Sequence, residues 1–186
     1  MKKKNIIILV ILAIIIIAIA GYFATQKIQE KNKKYEIETI SEYKYFVLKE
    51  NDKYGVIDAK GNKIIEAKYE NVKIPNPEKP VFICYEGENT KVINENGEEI
   101  FTEYQNIEPL RLKNILSDLM YEKSILKYSK DGKYGIIDLS GKKITNAIYE
   151  DIDTLQFKEG ELLVKKDGKY GVINIKGATI VKAQYD

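Results

Sequence analysis

Lys53-Tyr54-Gly55-Val56-Ile57-Asp58 returns as Lys133-Tyr134-Gly135-Ile136-Ile137-Asp138 and again as Lys169-Tyr170-Gly171-Val172-Ile173-Asn174. After two intervening residues each copy reaches a glycine: Gly61, Gly141 or Gly177. Eight residues later comes a tyrosine: Tyr69, Tyr149 or Tyr185. A phrase repeated at such a period is the signature of an array of supersecondary units. It argues against a design built around one catalytic site.

Working outward, a worn fourth copy emerges. Val92-Ile93-Asn94-Glu95-Asn96-Gly97 aligns with Val56 to Gly61 at an offset of 36, and it leads to Tyr104-Gln105-Asn106-Ile107. Successive units then stand 36, 44 and 36 residues apart. Tyr35-Glu36-Ile37 resembles the tail of a preceding unit. The chain ends at Tyr185-Asp186, within a unit. A bare closing unit and a longer array both fit that ending.

Each unit reads as a three-stranded antiparallel meander. Its first strand is short and apolar: Tyr45–Leu48, Val81–Cys84, Ile125–Tyr128 and Leu162–Lys165. Asp131-Gly132 and Asp167-Gly168 are tight-hairpin pairs, and Asn51-Asp52 is a weaker one. The second strand is the repeated phrase. It is apolar on both faces, because Tyr54 and Val56 point one way and Gly55 and Ile57 the other. Such a strand belongs in the middle of its sheet. Gly55 marks a place where a side chain would block a neighbour, and the next unit's aromatic is the expected neighbour. The next turn has Asx first and Gly fourth in every unit, the pattern of a type I turn whose Asx side chain caps backbone N–H groups. The third strand starts at Lys63-Ile64-Ile65 and its equivalents and runs to the closing tyrosine.

The 44-residue spacing contains eight extra residues. Leu112, Ile115, Leu116, Leu119 and Met120 fall at helical spacing behind Pro109. This predicts a short amphipathic helix over 109–122, packed on the β-core or offered as a partner surface.

The amino terminus is different in kind. Met1-Lys2-Lys3-Lys4-Asn5 precedes 19 residues, Ile6 to Ala24, broken only by Gly21 and Tyr22. That length suits a helix crossing a bilayer. Ala18-Ile19-Ala20 also fits a signal-peptidase site, in which case the chain is cleaved after Ala20 and secreted. The apolar run continues past that point, which favours a retained signal anchor over residues 1–24. A juxtamembrane linker follows over 25–41 and the repeats occupy 42–186. Lys2, Lys3 and Lys4 place the start inside and the repeats outside a bacterial cytoplasmic membrane, although Lys27, Lys31, Lys33 and Lys34 nearly balance them.

Setting aside Lys2, Lys3 and Lys4 from 30 basic residues leaves 27 against 28 acidic, a net charge of −1. No basic surplus invites nucleic acid. With no His, the triads and imidazole metal sites have no members. Asp58 and Asp138 are the one candidate carboxylate pair for glycoside hydrolysis. Both open Asx turns, and sister units use Asn94 and Asn174 there, so a turn role is the better reading. No Asp-x-Asp-x-Asp calcium loop occurs. Cys84 is alone, in an apolar strand, and reads as a small buried group. No catalytic residue, metal or cofactor is expected.

With these residues in view, the units resemble the WG repeat family, whose pattern runs Asp-Gly-Lys-Trp-Gly-Val-Ile-Asp, a glycine turn, Val-Ile and a Tyr-Asp close. The resemblance covers residues 42–186. It rests on Tyr54, Gly55, Gly61, Tyr69, Gly97, Tyr104, Tyr134, Gly135, Gly141, Tyr149, Tyr170, Gly171, Gly177 and Tyr185. Tyr54, Tyr134 and Tyr170 stand where the family has Trp, and Thr90-Lys91 replaces the aromatic–glycine pair in the worn unit. The resemblance implies a bacterial, often surface-located repeat scaffold that binds other proteins. The sequence thus predicts an all-β repeat protein of four units, about 36 residues each, with a transmembrane helix and one inserted helix. The expected function is a membrane-anchored, extracytoplasmic, non-catalytic interaction scaffold. An envelope glycan-binding module using exposed tyrosines is the alternative.

Overall fold

The structure, a computed structural model, describes Ile19, Tyr22 and residues 43–113, 120–156 and 158–186. The chain forms two compact units, residues 1–41 and 42–186. Ile19 and Tyr22 are helical; the rest of the expected anchor and linker lies outside the described residues. Among the described residues no helix is long and apolar enough to cross a membrane.

Residues 42–186 fold as four antiparallel sheets. Sheet I holds β1 (Tyr45–Glu50), β2 (Lys53–Asp58) and β3 (Lys63–Tyr69). Sheet II holds β4 (Asn71–Lys73), β5 (Phe82–Glu86), β6 (Asn89–Ile93) and β7 (Glu99–Ile100). Sheet III holds β8 (Gln105–Arg111), β9 (Tyr121–Lys130) and β10 (Lys133–Asp138). Sheet IV holds β11 (Asp151–Leu155), β12 (Lys158–Lys166), β13 (Lys169–Asn174) and β14 (Thr179–Tyr185).

The phrase strands β2, β6 and β13 are central in their sheets, as their two apolar faces require. In sheet III the third strand is reduced to two bridges, Tyr134 with Tyr149 and Ile137 with Lys143, so β10 lies at the edge of the regular ladder. The β1–β2 hairpin turns through Asn51 and Asp52, both at positive φ (50° and 59°). Asp131-Gly132 and Asp167-Gly168 do the same, which is the primed turn that matches strand twist.

Sheets and sequence units are out of phase. In the first unit the third strand closes its own sheet at Tyr69, and the next few residues open the following sheet. Only Glu70 separates β3 from β4. Strands β4, β8 and β11 are therefore gifts from the preceding unit, and their three to seven residues carry too short an alternation to announce themselves.

The helix expected over 109–122 is corrected by β8 and β9. Pro109 pairs with Leu126 and Arg111 with Tyr121, and the Leu112 N–H donates to Met120 O at 2.8 Å. The insertion thus lengthens a hairpin. Leu110 is buried beside Ile125, and Pro109 is tolerated because β8 is an edge strand. Residues 114–119, with Ile115, Leu116 and Leu119, lie outside the described residues.

Each junction between consecutive sheets is an apolar core. Val56, Ile65 and Tyr69 of sheet I meet Val72, Phe82, Cys84 and Ile93 of sheet II. The other face of sheet II gives Val81, Ile83 and Val92 to Ile107, Leu126, Tyr128 and Ile137 of sheet III. Leu110, Ile125, Ile136 and Tyr149 then meet Ile152, Leu162, Val164 and Ile173 of sheet IV. The Thr154 hydroxyl donates to Arg111 O at 2.6 Å across that last junction. Sheets stacked by nearest-neighbour contacts define a repeat array.

Candidate functional site

The repeated residues are first of all structural. A Cβ on Gly55 would sit 2.3 Å from Ile65 O, and one on Gly171 2.7 Å from Val181 O. Both clashes are with the third strand of the same unit, which bulges over the phrase strand. A Cβ on Gly135 would lie 2.7 Å from the Tyr128 ring and 2.8 Å from Thr145 O. The expected neighbour, an aromatic of the next unit, is therefore corrected. The unit's own bulged backbone fills the space, with its own Tyr128 in sheet III.

The Asx turns match their sequence reading. Asp58 Oδ1 accepts from the N–H groups of Lys60 and Asn62, both at 2.8 Å. Asn94 serves Asn96 and Glu98, Asp138 serves Ser140 and Lys142, and Asn174 serves Lys176 and Ala178. Gly61 closes the first turn at φ +86°, and Gly97, Gly141 and Gly177 close the others in the same region. The Asn62 side chain, donating to Asp58 at 2.8 Å, holds that carboxyl below its ordinary range. Asp138 is also held low: desolvation works against it, and the bonds from Ser140 and Lys142 outweigh that. Each carboxylate is committed to its own turn in its own sheet.

The tyrosines divide into two groups. Tyr54 pairs with Tyr69, Tyr134 with Tyr149 and Tyr170 with Tyr185 across neighbouring strands. A lysine ammonium lies over each phrase tyrosine: Lys49 on Tyr54 at 5.7 Å, Lys127 on Tyr134 at 4.7 Å and Lys165 on Tyr170 at 5.4 Å. Tyr69 and Tyr149 are buried in junctions, whereas Tyr185 is exposed. Tyr104 in the worn unit leaves its own sheet. Its ring lies 4.6 Å from Tyr128, and its hydroxyl donates to Gly141 O at 3.0 Å. Cys84 is buried, and desolvation pushes its thiol up to about 12, which leaves it unreactive.

A cleft of about 390 Å³ lies where sheet I meets the β6–β7 turn, bounded by Lys44, Tyr45, Asp58, Ala59, Lys60, Ile64 and Glu95. Tyr45 stands edge-on to Phe82, with centroids 5.0 Å apart. Burial, then Glu95 and Asp58, raise the pKa of its hydroxyl. An apolar wall beside two carboxylates and two ammonium groups is the chemistry of a small polar-ligand site. Sequence reading missed it, because Glu95 comes from the turn of the next unit. Of the expected partner surface, Leu112 follows β8 and exposed Met120 precedes β9, and Ile115, Leu116 and Leu119 lie outside the described residues. Among the described residues no group of three or more Cys, Asp or Glu gathers as metal ligands.

The family model described as WG containing repeat matches residues 54–76 and 134–170. No curated protein and no solved structure matches the chain.

Proposed function

This chain carries repeats of the WG containing repeat family, and on that premise we propose that it is a non-catalytic, membrane-anchored scaffold that binds a protein partner outside the cytoplasm. The observation that carries this reading is the use made of the repeated polar residues. The Asx side chains cap turns and the glycines admit backbone, so the motif builds surface rather than a reaction centre. Residues 6–24 supply the anchor. Stacked sheets offer the extended surface that protein partners use.

In-cell cross-linking of the full chain followed by affinity capture is expected to recover one dominant protein partner. That partner should be lost when the segment between Leu112 and Met120 is shortened. Recovery of no specific protein overturns the scaffold reading. Protease added to intact cells should remove the repeats, and protection of the repeats would place them inside.

The cleft at Tyr45 favours a second reading, an envelope glycan site with a tyrosine beside paired carboxylates. Sedimentation with purified peptidoglycan tests it. Retention that falls with Tyr45→Ala supports glycan binding, and no retention ends it.

A further inference from the structure

Sheet II has a gap in its edge, in the middle of the array. Along an antiparallel pair, residues alternate between bonding to the partner strand and turning their N–H and C=O groups away from it. Glu86 and Asn89 flank the two-residue loop of the β5–β6 hairpin, so Thr90 and Val92 turn these groups away from β5. In the other units the third strand takes them up. Tyr134, the counterpart of Thr90, donates to Tyr149 O at 2.7 Å and accepts from the Tyr149 N–H at 3.2 Å. Tyr54 faces Tyr69, and Tyr170 faces Tyr185, at the same place. In the worn unit β7 pairs only with Val92 and Ile93. Among the described residues nothing pairs with the N–H and C=O of Thr90. Its buried hydroxyl lacks a partner as well.

The gap owes nothing to an end of the chain. Described residues on both sides account for it: β6, and the turn in which the Tyr104 N–H donates to Phe101 O at 3.1 Å. Tyr104, which holds the place of the closing tyrosine, is tied instead to Gly141 in sheet III. Lys91 stands where a bulging third strand needs glycine, which bars the chain's own strand. A straight strand needs no such room. An unpaired edge of this kind is a template for an added strand.

Charge selects the strand. From Glu86 to Glu108 the chain carries seven acidic residues and one basic. The matching stretch of the first unit, Glu50 to Val72, carries five and four. The one cation, Lys91, is paired with Glu86 at 2.9 Å. Glu88, Glu99 and Glu103 are exposed and make no ion pair among the described residues. We propose that an extended, basic segment of a partner protein adds to the open edge of β6, its backbone bonded to Thr90 and its cationic side chains set against these glutamates. The proposal rests on the scaffold reading and gives that scaffold one contact of stated chemistry.

The test titrates the full chain, in mild detergent, into a fluorescein-labelled Lys-Val-Lys-Val-Lys-Val peptide and reads anisotropy. Saturable binding is expected, and the matching Glu-Val peptide should not bind. Methylating the central backbone nitrogens of the peptide should weaken binding about tenfold, as losing backbone hydrogen bonds does. Thr90→Pro should do the same, because it deletes the outward N–H. Proline is tolerated where the N–H faces away from the sheet, and an unchanged circular dichroism spectrum checks the fold. Glu99→Lys with Glu103→Lys should also weaken binding. A dissociation constant weaker than about 1 mM overturns the proposal. So does binding that survives both N-methylation and Thr90→Pro, which would be charge attraction without an added strand. Binding that appears only after Lys31→Glu, Lys33→Glu and Lys34→Glu overturns it too, since the chain's own basic residues would then hold the edge. Each of these failures leaves standing a partner recovered by cross-linking in cells.

Discussion

Units one and two of the array carry the same Asx-to-Gly turn, but where the first has Tyr54-Gly55 the second has Thr90-Lys91. In the first, the missing Cβ at Gly55 lets β3 bulge over β2, run seven residues and bring Tyr69 back against Tyr54. In the second, Lys91 occupies that position and β7 stops after Glu99–Ile100. The chain then turns away at Phe101, whose φ of +61° is strained for an aromatic residue. Its ring comes to rest on Gly141, and Tyr104 goes forward to sheet III. The glycine of the phrase is thus what lets the third strand come home.

The largest effect should come from breaking this at Gly55. Gly55→Val must displace the β3 backbone and is expected to cost about 3 kcal/mol in urea denaturation, as core overpacking does. The matching Lys91→Val should move stability by less than about 0.5 kcal/mol, as a surface change does. Equal effects at the two positions would sink the comparison.

Next in size is a pair of turn glycines. Gly61→Ala carries only the cost of a left-handed side chain, about 1 kcal/mol, because its surroundings are open. At Gly141 a Cβ would lie 2.6 Å from the Phe101 ring. Gly141→Ala is therefore expected to cost about 2 kcal/mol or more by the same measurement, strain and crowding together. Tyr104→Phe sharpens the same point, since losing its bond to Gly141 should cost about 1 kcal/mol.

The worn unit also offers a gain. Tyr85 and Thr90 pair across β5 and β6, and their buried hydroxyls find no partner among the described residues. Thr90→Val should raise the thermal midpoint, by up to about 1 kcal/mol of stability. A lower midpoint would show that the hydroxyl is satisfied in solution.

The smallest effect is in pH. Asp58 and Asp138 are held low in the folded state, whereas Asn94 and Asn174 in the sister turns do not titrate. Their contribution is complete above the unfolded carboxylate value and fades as pH falls through the acid range below about 4. Asp58→Asn with Asp138→Asn should flatten that limb of a stability-against-pH curve. An unchanged limb would assign the acid sensitivity elsewhere.

The turns were legible because their chemistry is local. Asx and Gly at fixed spacing specify them without help from the rest of the chain. The first strands and the central phrase strands were legible from apolar alternation. The hand-over strands were not, since Asn71-Val72-Lys73 has one apolar residue and takes its identity from β5 beside it. The 109–122 helix failed for a related reason. Leu110 and Pro109 are placed by pairing with the distant β9, and a spacing pattern within one window does not register that partner. The cleft at Tyr45 was invisible because residues from two units make it.

The hand-over at Glu70 has a consequence for how the protein would be cut. Sheets I and II are joined by one residue, while the β4–β5 connection within sheet II spans Ile74 to Val81. A protease seeking slack chain there would therefore nick sheet II through its middle and spare the seam at Glu70. The amino-terminal piece would keep β4, a strand of the sheet that the other piece holds. Fragments separated on a denaturing gel should have travelled together as one particle before it.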